Sequence, residues 1–211
     1  MSALLVKIDG LRDLEHARVA VDAGADFVGF VFARTRRYVA PEVVAAIVAA
    51  LPDSVKKVGV FVDEAADSVR SIVRDCRLDF AQLCGDESVE YCQALGVPSI
   101  KSFRVRGPEV ANEVARFDGH VTWNILDGYQ ENSYGGTGIR FDWQLAQDLT
   151  RRFPIFLAGG LTESNVAEAI RIGRPAGVDV SSGVETDGTK DSAKITAFVA
   201  AARRAAEGNG Y

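Results

Sequence analysis

The sequence predicts an α/β fold, a closed (βα)8 TIM barrel, on three observations. Short apolar runs alternate with helix-patterned segments about eight times in roughly 200 residues, the rhythm of that barrel. The runs are rich in Val, Ile and Phe and carry little polar alternation, as strands covered on both faces do. The first strand is followed by the single Gly10 rather than by the Gly-rich turn that announces an open doubly wound sheet, the competing architecture for the same alternation. At 211 residues, one domain spanning 1–211 is expected rather than two small ones.

Each element has its own signal. "ALLVKI" reads as the first strand, and "LEHARVAVDAG" follows with apolar residues at helical spacing and a glycine stop. "DFVGFVF" is the second strand, and "PEVVAAIVAAL" the second helix, opened by Pro41 where a missing amide does least harm. "VKKVGVFV", "FAQLC" and "SIKSFRV" continue the strands, separated by the helices "AADSVRSIVRDC" and "ESVEYCQAL". The second half adds the strands "HVTWNILD", "PIFLAGG" and "GVDVSSG" and the helices "GPEVANEVARF", "DWQLAQDLTRRF" and "ESNVAEAIRIG". "DSAKITAFVAAARRAAE" closes the chain as an amphipathic helix before a loose tail, "GNGY".

Composition excludes several classes of function. Apolar residues make up 47% and charged residues 25%, the balance of an ordinary folded domain. The net charge is −5, and Lys and Arg are scattered without a basic stripe, so no nucleic acid partner is expected. No apolar run approaches the roughly 20 residues that cross a bilayer. "MSALLVKIDG" lacks the basic, apolar and cleavage regions of a signal peptide, so no membrane partner and a cytoplasmic location are expected. Cys76, Cys84 and Cys92 match no zinc spacing, and His16 and His120 lie far apart, so buried free thiols, no metal and no disulfide are expected. A monomer is the expected state, because no heptad or long edge strand calls for a second subunit.

In such a barrel the chemistry sits at the C-terminal ends of the strands. Strand alternation puts Leu4, Val6 and Ile8 against the outer helices and points Lys7 and Asp9 inward. Asp127 ends the sixth strand, on the far side of a closed barrel from Asp9. Two carboxylates across one cavity suit acid–base work, since different surroundings hold one ionised and the other protonated. Each also precedes a glycine, where aspartate serves as an ordinary turn residue. Three small-residue stretches follow: "YGGTG" at Tyr134–Gly138, "AGGL" with Gly159 and Gly160, and "VSSG" with Ser181, Ser182 and Gly183. Loops after strands seven and eight commonly cradle phosphate, so a phosphorylated small-molecule substrate is expected, against the alternative of plain tight turns. "RTRRYV", Arg34–Val39, offers arginines to a carboxylate, or is simply a solvated basic loop.

These segments resemble the phosphoribosylanthranilate isomerase family of tryptophan biosynthesis along nearly the whole chain. The likeness rests on "VKIDG", "GADFVGFVF", "RRYV", "KKVGVFV", "FAQLCGDE", "LDGY", "GGTGIRFDW", "FLAGGLTESNV" and "GVDVSSGVE", in that order. It implies the same barrel and a cofactor-free Amadori rearrangement of an N-linked aminoaldose phosphate to an aminoketose phosphate. By motif, Asp127 is similar to the family's general acid, and Arg37 to the arginine that meets the anthranilate carboxylate. Gly159, Gly160, Ser181, Ser182 and Gly183 are similar to its phosphate loops, and Asp179 to an inward aspartate near the sugar. The family's first strand ordinarily reads "KICG", with cysteine as base, so the resemblance gives Asp9 that role; Cys84 stands in "QLCG" where "QLHG" is usual. A free thiol must ionise near a pKa of about 8.5, whereas an aspartate of ordinary pKa about 3.9 is already a carboxylate at neutral pH. The expected function is therefore phosphoribosylanthranilate isomerisation. An isomerase of another phosphoribosylamine and a non-catalytic barrel that binds a phosphorylated metabolite remain open alternatives.

Overall fold

Eight parallel strands close on themselves in sequence order, first to eighth, in a computed structural model that describes residues 3–128 and 141–211. The strands are β1 (Leu5–Ile8), β2 (Phe27–Val31), β3 (Lys56–Phe61), β4 (Phe80–Leu83), β5 (Ser99–Val105), β6 (Trp123–Gly128), β7 (Ile155–Leu157) and β8 (Gly177–Val180). β1 pairs with both β2 and β8, which completes the cylinder and leaves the barrel sheet without an edge. The expected (βα)8 barrel is therefore the observed fold.

Around it lie α1 (Leu14–Asp22), α2 (Pro41–Ala49), α3 (Ala66–Asp75), α4 (Val89–Leu95), α5 (Val110–Arg116), α6 (Gln147–Thr150), α7 (Val166–Gly173) and α8 (Ser192–Asn209). Local chemistry starts several of them. Asp13 accepts the His16 amide at 2.9 Å to cap α1, Pro41 opens α2, and Asp191 accepts the amides of Ala193 and Lys194 to cap α8. The Arg203 guanidinium on α8 reaches the Leu4 and Gly24 carbonyls and the Asp26 carboxylate, pinning the last helix beneath the first two strands.

Two apolar layers follow from strand alternation. Leu4, Val6 and Ile8 face the outer core with the helices, while the inward set includes Phe27, Val58, Ile100, Ile125 and Phe156. Phe27, Trp123 and Phe156 meet edge to face, with ring centroids 5.3–6.4 Å apart, and plug the lower barrel. Gly177 leaves room for this plug: a Cβ there would lie 2.4 Å from the Phe156 ring. The floor of the barrel is thus a packed core rather than a channel.

Three elements differ from the sequence reading. "DWQLAQDLTRRF" begins as a 3-10 turn, Trp143–Ala146, before α6. Its buried residues Trp143, Ala146 and Leu149 recur every third position, which aligns on one side of a 3-10 helix better than of an α-helix. α8 runs on through Gly208 to Asn209, and Gly210 ends it at φ 72°. Asn209 donates to Ala205 O and its carbonyl accepts from Arg174, ties that outweigh the poor helix propensity of "GNG". After β8 a short hairpin, β9 (Glu185–Thr186) and β10 (Thr189–Lys190), was not expected at all.

Candidate active site

A cleft opens at the C-terminal ends of the strands, with about 740 Å³ of unfilled space including its mouth. All nine sequence-predicted site residues line it: Asp9, Arg37, Asp127, Gly159, Gly160, Asp179, Ser181, Ser182 and Gly183. "YGGTG" lies outside the described residues. Its wall mixes apolar and polar side chains: Ile125 and Ala158 lie among Gln82, Ser102 and the carboxylates.

Asp9 belongs to a buried cluster. Lys7 Nζ lies 3.0 Å from Asp9 Oδ1 and 3.0 Å from Asp179 Oδ1, and donates a hydrogen bond to the latter. Lys7 and Asp179 are cross-strand partners in the β1–β8 register, so they share a level, and Asp9 sits two residues higher on the same face. Burial disfavours the Lys7 ammonium, yet Asp179 and Asp9 together raise its pKa above the usual lysine value. Burial lifts the Asp179 carboxyl above the ordinary range; Lys7 opposes this, while Asp9 and Asp127 add to it. A single ammonium shared by two carboxylates leaves a cluster charge of −1 when all three groups are ionised.

Gly29 on β2 makes the Asp9 position possible. A Cβ at Gly29 would lie 1.7 Å from Asp9 Oδ1, inside any permitted contact. Gly10, at φ 73°, turns the chain sharply after Asp9, and there a Cβ would meet the Arg37 side chain at 2.7 Å.

Asp127 is 7% exposed and lines the cleft from the upper end of β6. Its register partner on β5 is Arg104. Cys84, just above β4, also lines the cleft, and burial pushes its thiol up to about 12 against the opposing hydrogen bond from Gln82. Cys84 therefore stays protonated at neutral pH and is no candidate base.

The rim after β7 and β8 is small and turned. Gly159 and Gly160 both hold positive φ, 78° and 65°, so the loop folds back at the strand end. Gly183 is needed for close packing: a Cβ there would lie 1.8 Å from the Leu161 carbonyl oxygen. The β9–β10 hairpin then returns Glu185 and Lys190 to this rim. Glu185 accepts from Arg37 Nε at 2.7 Å, Arg37 Nη2 at 3.0 Å, Arg36 Nη2 at 2.8 Å and Lys190 Nζ at 2.9 Å. Burial works against ionised Glu185, but the bonds from Arg37 and Lys190 hold its carboxyl down at about 2. Lys190 also donates to the Ser181 carbonyl at 2.8 Å, bracing the loop after β8. Three cations on one carboxylate leave a charge of +2 beside Ser181, a field suited to a phosphate.

Glu185 and Lys190 were missed by the sequence reading. The signal was present in "ETDGTK": Asp-Gly between short polar flanks marks a tight hairpin, and Asp187 and Gly188 adopt φ 50° and 78°.

Residues 6–201 match the family described as N-(5'phosphoribosyl)anthranilate (PRA) isomerase. The chain belongs to that family. It is 48% identical over 202 residues to the N-(5'-phosphoribosyl)anthranilate isomerase of Desulforudis audaxviator, covering 95% of this chain and 98% of the relative. The isomerase of Roseiflexus sp. is likewise 48% identical over 212 residues, covering 96% of this chain and 99% of the relative. Among solved structures, the phosphoribosyl anthranilate isomerase of Thermotoga maritima is similar at a TM-score of 0.87 and 38% identity, covering 95% of this chain and 99% of that one. A family structure in complex with reduced 1-(o-carboxyphenylamino)-1-deoxyribulose 5-phosphate is similar at 0.84 and 36% identity, covering 95% and 99%.

Proposed function

We propose that this isomerase of tryptophan biosynthesis rearranges N-(5'-phosphoribosyl)anthranilate with Asp9 as general base and Asp127 as general acid. The observation that carries the assignment is the placement of both carboxylates on one cleft whose rim carries small-residue loops and surplus positive charge. The substrate's phosphate sits on Gly159, Gly160, Ser181, Ser182 and Gly183, where Lys190 braces the loop after β8. The aromatic carboxylate meets Arg37, whose guanidinium plane is set by its two bonds to Glu185. Asp179 lies near the sugar.

The reaction then divides between the two carboxyl groups. Asp127 gives a proton to the furanose ring oxygen; the C1'–O bond breaks and the nitrogen lone pair forms a Schiff base. Asp9 removes the C2' proton, and that electron pair forms the enolamine, which tautomerises to the aminoketose. No redox partner is needed, because the electrons move within the substrate. A carboxylate is a weaker base than a thiolate, but it needs no prior ionisation at neutral pH.

The whole activity resides in one barrel domain over 1–211. The enzyme works in the cytoplasm as a monomer. The support for a monomer is that Tyr38 and Val43 are the large apolar side chains exposed among the described residues. A Thermotoga maritima relative is described as dimeric, with monomers generated from it, so sedimentation of this protein tests the point directly.

The base is tested by two substitutions. Asp9→Asn removes turnover and Asp9→Cys keeps part of it, with its acidic limb displaced toward the thiol range. An active Asp9→Asn enzyme overturns the assignment.

A further inference from the structure

The reading of Asp9 as base leaves Lys7 without a stated role, although it has no solvent exposure and touches the base directly. A buried ammonium is costly to desolvate, and it persists only where it is paired. Its pairing is divided, at 3.0 Å to Asp9 Oδ1 and 3.0 Å to Asp179 Oδ1. β2 adds no charge at this level: Phe27 is the register partner of Lys7, and Gly29 has no side chain. Among the described residues, other titratable groups whose charge interacts with the cluster are Asp127 from β6, Cys84 above β4 and Lys190 from β10. Cys84 stays a neutral thiol, and Lys190 is held by Glu185 and Ser181, so Lys7 is the ammonium in direct contact with Asp9 among the described residues.

We propose that Lys7 is a positioning residue for the isomerisation: its ammonium, 3.0 Å from Oδ1, favours the negative charge of Asp9 and draws Oδ1 into the wall, leaving Oδ2 for the C2' proton. The proposal rests on the reading of Asp9 as base. Asp179 competes for the same ammonium and thereby limits how strongly Asp9 is held. When Asp9 takes the proton it becomes neutral, Lys7 remains paired with Asp179, and the cluster passes from −1 to zero. The base is thus an ion pair that the proton transfer resolves, and Lys7 itself neither gains nor loses a proton.

Two substitutions move the base in opposite directions. The Asp9 carboxyl is followed by carbon-13 NMR in ligand-free enzyme, assigned through Asp9→Asn, beside the pH profile of kcat/KM on phosphoribosylanthranilate. In Lys7→Met the Asp9 titration and the acidic limb both move up by about one pH unit or more, a tenfold loss of ionised base on that limb. In Asp179→Asn both move down, because Asp9 keeps the ammonium alone and loses a negative neighbour. An Asp9 titration unmoved in a folded Lys7→Met protein overturns the proposal. If Lys7→Met does not fold, an unmoved or raised Asp9 titration in Asp179→Asn overturns it instead. A titration that shifts as stated beside an unmoved kinetic limb overturns the reading of Asp9 as base, and the role of Lys7 with it. A moved limb with a fixed Asp9 titration overturns the Lys7 proposal alone.

Discussion

Replacing Gly29 with alanine tests whether the position of Asp9, and not merely its presence, sets the rate. Gly29 lies within β2, outside the left-handed region, so its backbone accepts alanine without strain. The added Cβ falls 1.7 Å from Asp9 Oδ1, 2.9 Å from its Cγ and 3.3 Å from Lys7 Nζ. Non-bonded carbon contacts settle near about 3.5 Å, so the carboxylate has to retreat by roughly 1.5 Å or more. A misplacement of about 1 Å at a reacting group costs on the order of 100-fold in rate, or about 2.7 kcal/mol of barrier. Steady-state turnover, followed by loss of phosphoribosylanthranilate fluorescence, is therefore expected to fall about 100-fold in kcat. Affinity for the reduced product analogue, measured by calorimetry, changes only a few-fold, because the phosphate and carboxylate contacts lie elsewhere. A folded Gly29→Ala enzyme with kcat near wild type refutes the reasoning, since the methyl and the carboxylate cannot occupy the same place.

Three further outcomes follow from the same geometry. Asp127→Asn lowers kcat by about 10²-fold or more, the usual range for a general acid, while binding the reduced product analogue nearly as well as wild type by calorimetry. Glu185 is held at about 2 against an ordinary 4.5, so its contribution is complete above pH 4.5 and lost as pH falls through about 2. That contribution is on the order of 3 kcal/mol, so urea unfolding of wild type loses stability more steeply over that acid window than Glu185→Gln does. Phe156→Ala, which empties the barrel plug at a position with no exposure, costs about 3–5 kcal/mol of unfolding free energy by the same assay.

The barrel was legible because its strands are buried on both faces and its helices carry an apolar stripe, so each element announces its own period. Alternation alone placed Lys7 and Asp9 inward, and the end-of-strand rule placed Asp127, Gly159, Gly160 and Ser181 on the cleft. What escaped depends on partners far along the chain. Gly29 reads as any strand residue until Asp9 is seen to fill the place of its Cβ. Gly183 reads only as a ligand-facing glycine, and sequence gives no sign that the Leu161 carbonyl packs where its Cβ would be. Arg37 reads as an open fork for a substrate carboxylate, yet 148 residues later Glu185 takes two of its bonds. The end of α8 escaped for the same reason, because Arg174 and Asn209 meet only in the folded barrel.

The most direct test of the central claim is the pH dependence of kcat/KM for phosphoribosylanthranilate, generated in place and followed by fluorescence. An aspartate base predicts turnover whose acidic limb falls well below the thiol range near about 8.5. A limb in the thiol range, or no turnover by a folded protein that still binds the reduced product analogue, contradicts it.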